Sequence, residues 1–143
     1  MKKKYQYPTV IQSIASIRND LEAFAETSGI PESELRQITL VVEELFSKIV
    51  RFAFTGKDQQ LLEITLSKAD REITLEMVDK GEEFNPLETN PEQLMDPASI
   101  DEGGMGLSLI KAFCDSISYT REEQKNILLI KKIIRGQAET EAQ

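Results

Sequence analysis

The chain has 143 residues, enough for one domain with a sizeable core, and its 40% hydrophobic and 29% charged residues are those of an ordinary folded protein. A formal charge of −8, from 17 Lys plus Arg against 25 Asp plus Glu, leaves no basic footprint for general nucleic-acid binding. No histidine and a single cysteine, Cys114, exclude an internal disulfide, Ser-His-Asp or Cys-His catalysis and a histidine-ligated metal within the chain. The basic start, MKKKYQYPTV, leads into no apolar h-region, and no apolar run could span a bilayer, so the sequence predicts a cytoplasmic protein without membrane contact.

In chain order, residues 3–11 carry enough β-formers for an edge strand, with Pro8 tolerable only at an edge or an end. Ile11, Ile14, Ile17, Leu21, Phe24 and Ala25 recur at helical spacing to about Thr27, where Ser-Gly-Ile-Pro closes the helix. A second helix starts between Pro31 and Glu34, with acidic residues at its positive end, and runs to about Phe54 before Thr55-Gly56. LLEITLSK (61–68) and REITLEMV (71–78) alternate apolar and polar residues around a short Ala69-Asp70 link, a hairpin signature. Residues 79–104 show no period and read as a long loop, the kind that is functional or disordered. A helix over 105 to about 115 follows, placing Cys114 as a small buried hydrophobe beside Ile110, Phe113 and Ile117. ISYTRE and NILLIKKII form a second hairpin before a mobile tail. With so few β-α-β alternations, the fold class is a two-layer α/β (α+β) sandwich: a mixed, mostly antiparallel sheet with helices on one face.

Three places carry candidate chemistry. In VVEELFSKIVRFAF (41–54) an apolar stripe explains most residues, but at ~100° per residue Glu44 and Lys48 fall together on one flank, where a core helix borders a cleft, while Glu43 lies toward the opposite face. In VDKGEEFNPLE (78–88), Asp79 ends a buried strand, where a carboxylate can accept a hydrogen bond from an exocyclic amine, and Gly81 follows. In DEGGMGLSLIKAF (101–113), Gly103, Gly104 and Gly106 lead into a helix, and such a turn exposes backbone N–H groups to an anion. Either glycine signal alone is an ordinary turn or cap. Their order and separation behind a helix carrying Glu44 are far more specific.

With these boxes the sequence resembles the GHKL ATP-binding domain shared by gyrase B, histidine kinases and MutL. Within it the sequence is similar to the small anti-sigma factor serine/threonine kinases of the RsbW and SpoIIAB type. The likeness runs from the first strand to NILLIKKII, giving a histidine-kinase-like ATPase domain over 1–136 and a tail over 137–143. That family has Glu-Glu-x-x-x-Asn on its long helix, Asp-x-Gly-x-x-Phe-x-Pro at the strand end, and Gly-Gly-x-Gly before a helix. This chain supplies Glu43-Glu44, then Asp79, Gly81, Phe84 and Pro86, then Gly103, Gly104 and Gly106. The resemblance implies ATP as cofactor. Asp79 would hold the adenine amino group, Gly81 would admit the base, and Phe84 belongs to the same cofactor-binding box. Gly103, Gly104, Met105, Gly106 and Leu107 would cover the phosphates, below a lid between Asn85 and Glu102. Glu44 would be the catalytic base toward a serine of a partner. The partners implied are a sigma factor and an anti-anti-sigma (STAS) protein, and members of the family often form homodimers.

Lys48 departs from the pattern. The family places there an Asn that ligates Mg²⁺, whereas an ammonium has three donors and no acceptor, so the sequence offers no metal ligand at this position. Three readings stand open. Lys48 reaches the phosphates in place of part of the metal's charge, or it pairs with Glu44 one turn earlier and weakens it as a base, or it snorkels from the helix flank to water.

Overall fold

The computed structural model describes residues 1–54, 60–88 and 107–135. In chain order they form β1 (Lys2–Pro8), α1 (Ser13–Ser28), α2 (Glu32–Ala53), β2 (Leu61–Ala69), β3 (Glu72–Asp79), a helix α3 over 107–113, β4 (Ser116–Glu122) and β5 (Lys125–Ile133). The strands make one sheet in the order β1-β2-β3-β5-β4, and every pairing among the described residues is antiparallel. The predicted tail and most of the long loop lie outside the described residues.

Alternation along the strands decides which face is covered. Tyr7, Leu62, Ile64, Leu66, Ile73, Leu75, Met77, Leu128 and Ile130 all point inward and are buried with Ile17, Leu21 and Phe24 of α1 and Val42, Leu45, Phe46 and Ile49 of α2. Their outward neighbours on the same strands are half-buried or exposed, as a sheet covered on one side requires. Two layers, helices over sheet, follow from this pattern.

Local chemistry sets the boundaries. β1 stops at Pro8, short of the predicted residue 11, because the hydroxyl of Ser13 and the N–H of Val10 both bond the Pro8 carbonyl and turn the chain. Ile11, expected on the apolar helix face, therefore lies before α1 and is exposed. α1 ends where Gly29, at φ 77°, takes the left-handed conformation open to glycine, and its N–H bonds the Ala25 carbonyl. The β2–β3 and β4–β5 links are two-residue turns, the first with Asp70 at φ 54° and the second with Glu123 and Gln124 both at positive φ.

Two polar residues share the inward row of β5 with its apolar core residues: Asn126 at its start and Lys132 near its end. The Lys132 ammonium lies 3.1 Å from Oε2 of Glu34, each side chain only 10% exposed, although Oε2 accepts no hydrogen bond. The ammonium instead donates to the Phe113 carbonyl at 2.7 Å, capping α3. Glu34, expected simply as a first-turn acid at the positive end of α2, is therefore a buried charge tied across the fold. Cys114 sits just past α3 rather than on it and is half-buried; desolvation pushes its thiol up, which suits a packing residue rather than a nucleophile.

Candidate functional site

The site grows from the place where β3 ends. Because Ile73, Leu75 and Met77 point inward, the next residue in phase, Asp79, must also point inward, toward the helices, and it is 2% exposed. A buried carboxylate needs donors, and two described groups supply them: the Gly81 N–H at 2.9 Å and the Asn126 Nδ2 at 2.9 Å. Both hydrogen bonds end on Oδ1. Burial nonetheless pushes the Asp79 carboxyl above its ordinary range, against the opposing pull of those two hydrogen bonds and of the Arg121 charge.

Strand register explains the companions. Asp79 of β3 stands opposite Asn126 of β5, which stands opposite Arg121 of β4, so three polar residues form one row across three strands. Arg121 donates to the Gly81 carbonyl at 2.8 Å and to Asn126 Oδ1 at 3.1 Å, and the Tyr119 hydroxyl donates to the same Oδ1 at 2.5 Å. The turn after β3 is thereby held from the sheet side. From the helix side, the Glu82 N–H bonds the Ala53 carbonyl at the end of α2.

Gly81 is required by that second contact. A Cβ there would meet the Ala53 carbonyl oxygen at 2.7 Å and its Cβ at 2.9 Å. The sequence suggests that this glycine admits a base; in the structure, what it admits is the C-terminal end of α2. Phe84, 8% exposed, packs its ring 5.4 Å from that of Phe52, so within the described residues it locks the turn to α2. Glu82 and Glu83 are exposed, which removes the repulsion they would exert from inside a polyphosphate site. An open polar cleft of about 580 Å³ adjoins the turn, lined by Lys80, Gly81, Glu82, Glu83 and Arg121 and by the β4–β5 turn.

α2 brings the other candidates. Glu43 pairs with Arg18 of α1 and joins the two helices, and Glu44 beside it is half-buried. Lys48 is only 6% exposed. At that exposure most of its side chain is packed against the protein. Arg51 rests on the Phe52 ring, 5.8 Å from its centroid. Leu107 is half-buried at the first described residue of α3, while Gly103, Gly104, Met105 and Gly106 lie outside the described residues.

Over residues 8–132 the sequence matches the histidine kinase-like ATPase domain. The chain belongs to that family. It is 31% identical over 96 residues to the serine/threonine-protein kinase BtrW of Bordetella bronchiseptica, an overlap covering 65% of this chain and 66% of that one. It is 24% identical over 144 residues to the serine-protein kinase RsbW of Listeria monocytogenes, covering 96% of this chain and 90% of that one. The crystal structure of the RsbU and RsbW domains of Rv1364c from Mycobacterium tuberculosis superposes with a TM-score of 0.69 at 11% identity, covering 94% of this chain and 32% of that one. At that identity the structural likeness shows the fold alone.

In a histidine kinase-like ATPase domain a purine would need a hydrogen-bond acceptor for its amine. Asp79 has an oxygen, Oδ2, that no described donor occupies, beside a turn held from both sides. Lys48 has no lone pair to offer a cation. Sequence reasoning missed Asn126, Arg121 and Tyr119. Strand register, which local pattern does not contain, brings them to Asp79.

Proposed function

We propose that this chain binds ATP between α2 and the turn after β3 and serves as an anti-sigma-type regulator that engages a protein partner. The observation that carries the reading is Asp79: a carboxylate buried at a strand end, with Oδ1 satisfied by Gly81 and Asn126 and Oδ2 left for an amino group. In this reading Asp79 accepts from the adenine amine. Gly103, Gly104, Met105, Gly106 and Leu107 cover the phosphates. Lys48, a buried cation, offers charge-assisted hydrogen bonds to them. Bound ATP supplies the phosphoryl group. Glu44 would take the proton from a serine hydroxyl of an anti-anti-sigma partner, and a sigma factor would be the other partner. The domain comprises residues 1–136 and works in the cytoplasm. Two relatives named as serine kinases support the reaction class.

The burial of Lys48 favours a second reading, in which nucleotide is held but transferred poorly. Phosphoryl transfer leans on a metal to neutralise developing charge, and a lysine in this position cannot ligate one while its field lowers the basicity of a neighbouring carboxylate. Lys48→Asn separates the two. With Mg²⁺ and ATP, the variant is expected to release phosphate about tenfold faster than the wild type, which corresponds to roughly 1.4 kcal/mol of barrier. Measurable wild-type release equal to or above that of the variant would show that Lys48 is compatible with phosphoryl transfer to water and would overturn this second reading.

A further inference from the structure

Every polar atom of the Asn126 side chain is satisfied by the protein. Nδ2 donates to Asp79 Oδ1 at 2.9 Å and to the Glu82 carbonyl at 2.8 Å. Oδ1 accepts from the Tyr119 hydroxyl at 2.5 Å, from Arg121 Nη1 at 3.1 Å and from the Phe84 N–H at 3.3 Å. These contacts also fix the orientation of the amide. Rotated by half a turn, it would set its oxygen against a carboxylate and a carbonyl and its N–H groups against three donors. At 3% exposure, and with no hydrogen-bonding capacity left, Asn126 has nothing to offer a ligand directly. It can act only through what it holds.

We propose that Asn126 is a positioning residue for purine recognition: its amide fixes the Asp79 carboxylate by Oδ1, so that Oδ2 alone is presented to the base. This rests on the ATP reading above and extends it to a residue that does not touch the nucleotide. The alternation of β5 places Asn126 inward, and the antiparallel register sets it directly opposite Asp79. An uncharged donor is required at that point. A carboxylate there would lie about one hydrogen-bond length from Oδ1, and two carboxylates so placed cannot both ionise without repulsion.

The groups around Asp79 define the electrostatic setting. Tyr119 and Arg121 come from β4, and Lys80, Glu82 and Glu83 from the turn, while α2 faces the turn with the uncharged Phe52 and Ala53. Of these, Arg121 holds the Asp79 carboxyl down and burial pushes it up. A second carboxylate from β5 would add a repulsion that grows as pH rises.

The test compares ADP affinity, by calorimetry between pH 5.5 and 8, in the wild type, Asn126→Asp and Asn126→Thr, each first shown to be folded by its thermal melt over that range. The ratio of variant to wild-type dissociation constants cancels the nucleotide's own titration. Asn126→Asp is expected to bind nearly as the wild type at the acid end, where a shared proton still donates to Asp79, and to weaken at least tenfold by pH 8. Asn126→Thr keeps one donor and should stay within about threefold of wild type at every pH, even where its melting temperature falls. A residue with only a structural role would lower the melting temperature of both variants and leave a flat affinity ratio. A folded Asn126→Asp with that flat ratio overturns the proposal. If the wild type binds no ADP, the ATP reading itself fails, and this proposal with it.

Discussion

Lys132→Ala is expected to lower stability by about 3–5 kcal/mol, the usual cost of removing one partner from a buried ion pair. The size follows from what would be left behind. Glu34 is 7% exposed and its Oε2 has no hydrogen bond, so without the ammonium 3.1 Å away its carboxylate keeps only the weaker field of Arg135. The same substitution removes the donor to the Phe113 carbonyl and uncaps the end of α3. Urea unfolding would measure the first loss, and faster amide exchange over 107–113 the second. The double variant Glu34→Leu, Lys132→Met should recover most of the stability, because an apolar pair of similar volume avoids the desolvation of both charges. A single variant within about 0.5 kcal/mol of wild type would mean that the pair is effectively solvated.

Asp79→Asn is expected to stabilise the fold while removing nucleotide binding. Burial raises the Asp79 pKa above its unfolded value, so the folded state holds that proton more tightly than the unfolded chain does. The contribution of such a group is fully present below the unfolded pKa and is lost as pH rises through the folded pKa, so the ionised carboxylate is a cost at neutral pH. Asn keeps an oxygen for Gly81 and Asn126 and carries no charge. Its melting temperature should exceed that of the wild type at pH 7–8, with the gap closing toward acid. In the site, however, the same change sets an N–H₂ donor where the base presents its own donor. The loss of a hydrogen bond to a charged group corresponds to roughly 10–100-fold in affinity. A variant that melts lower at neutral pH and binds as the wild type would contradict both halves.

The fold was largely legible because its strongest signals are periodic. The stripe on α2, the alternation in β2 and β3, and the Ser-Gly-Ile-Pro stop after α1 each report one physical constraint, and each element lies within a few residues of its expected place. Asp79 was also legible, since it ends an alternating strand in the inward phase. Asn126 and Lys132 were not, because both phases of NILLIKKI carry apolar residues: Ile127 and Leu129 on the outer face blur the alternation that marks the inner one. The β4–β5 hairpin was legible from its two strands, but the conformation of its turn was not, as Glu123 and Gln124 adopt positive φ without the Gly or Asn that usually announces it. Pairings such as Glu34 with Lys132 depend on strand order, which local pattern does not contain.

The most direct measurement is a calorimetric titration of ATP and ADP into the wild-type chain, in Mg²⁺ and then in EDTA. Millimolar or tighter binding in both buffers, with ATP favoured over ADP in EDTA, is the result expected of a purine site at Asp79 with Lys48 facing the phosphates. Absence of heat and of any thermal shift in either buffer would contradict nucleotide binding, leaving Asp79, Gly81 and their network as a structural turn.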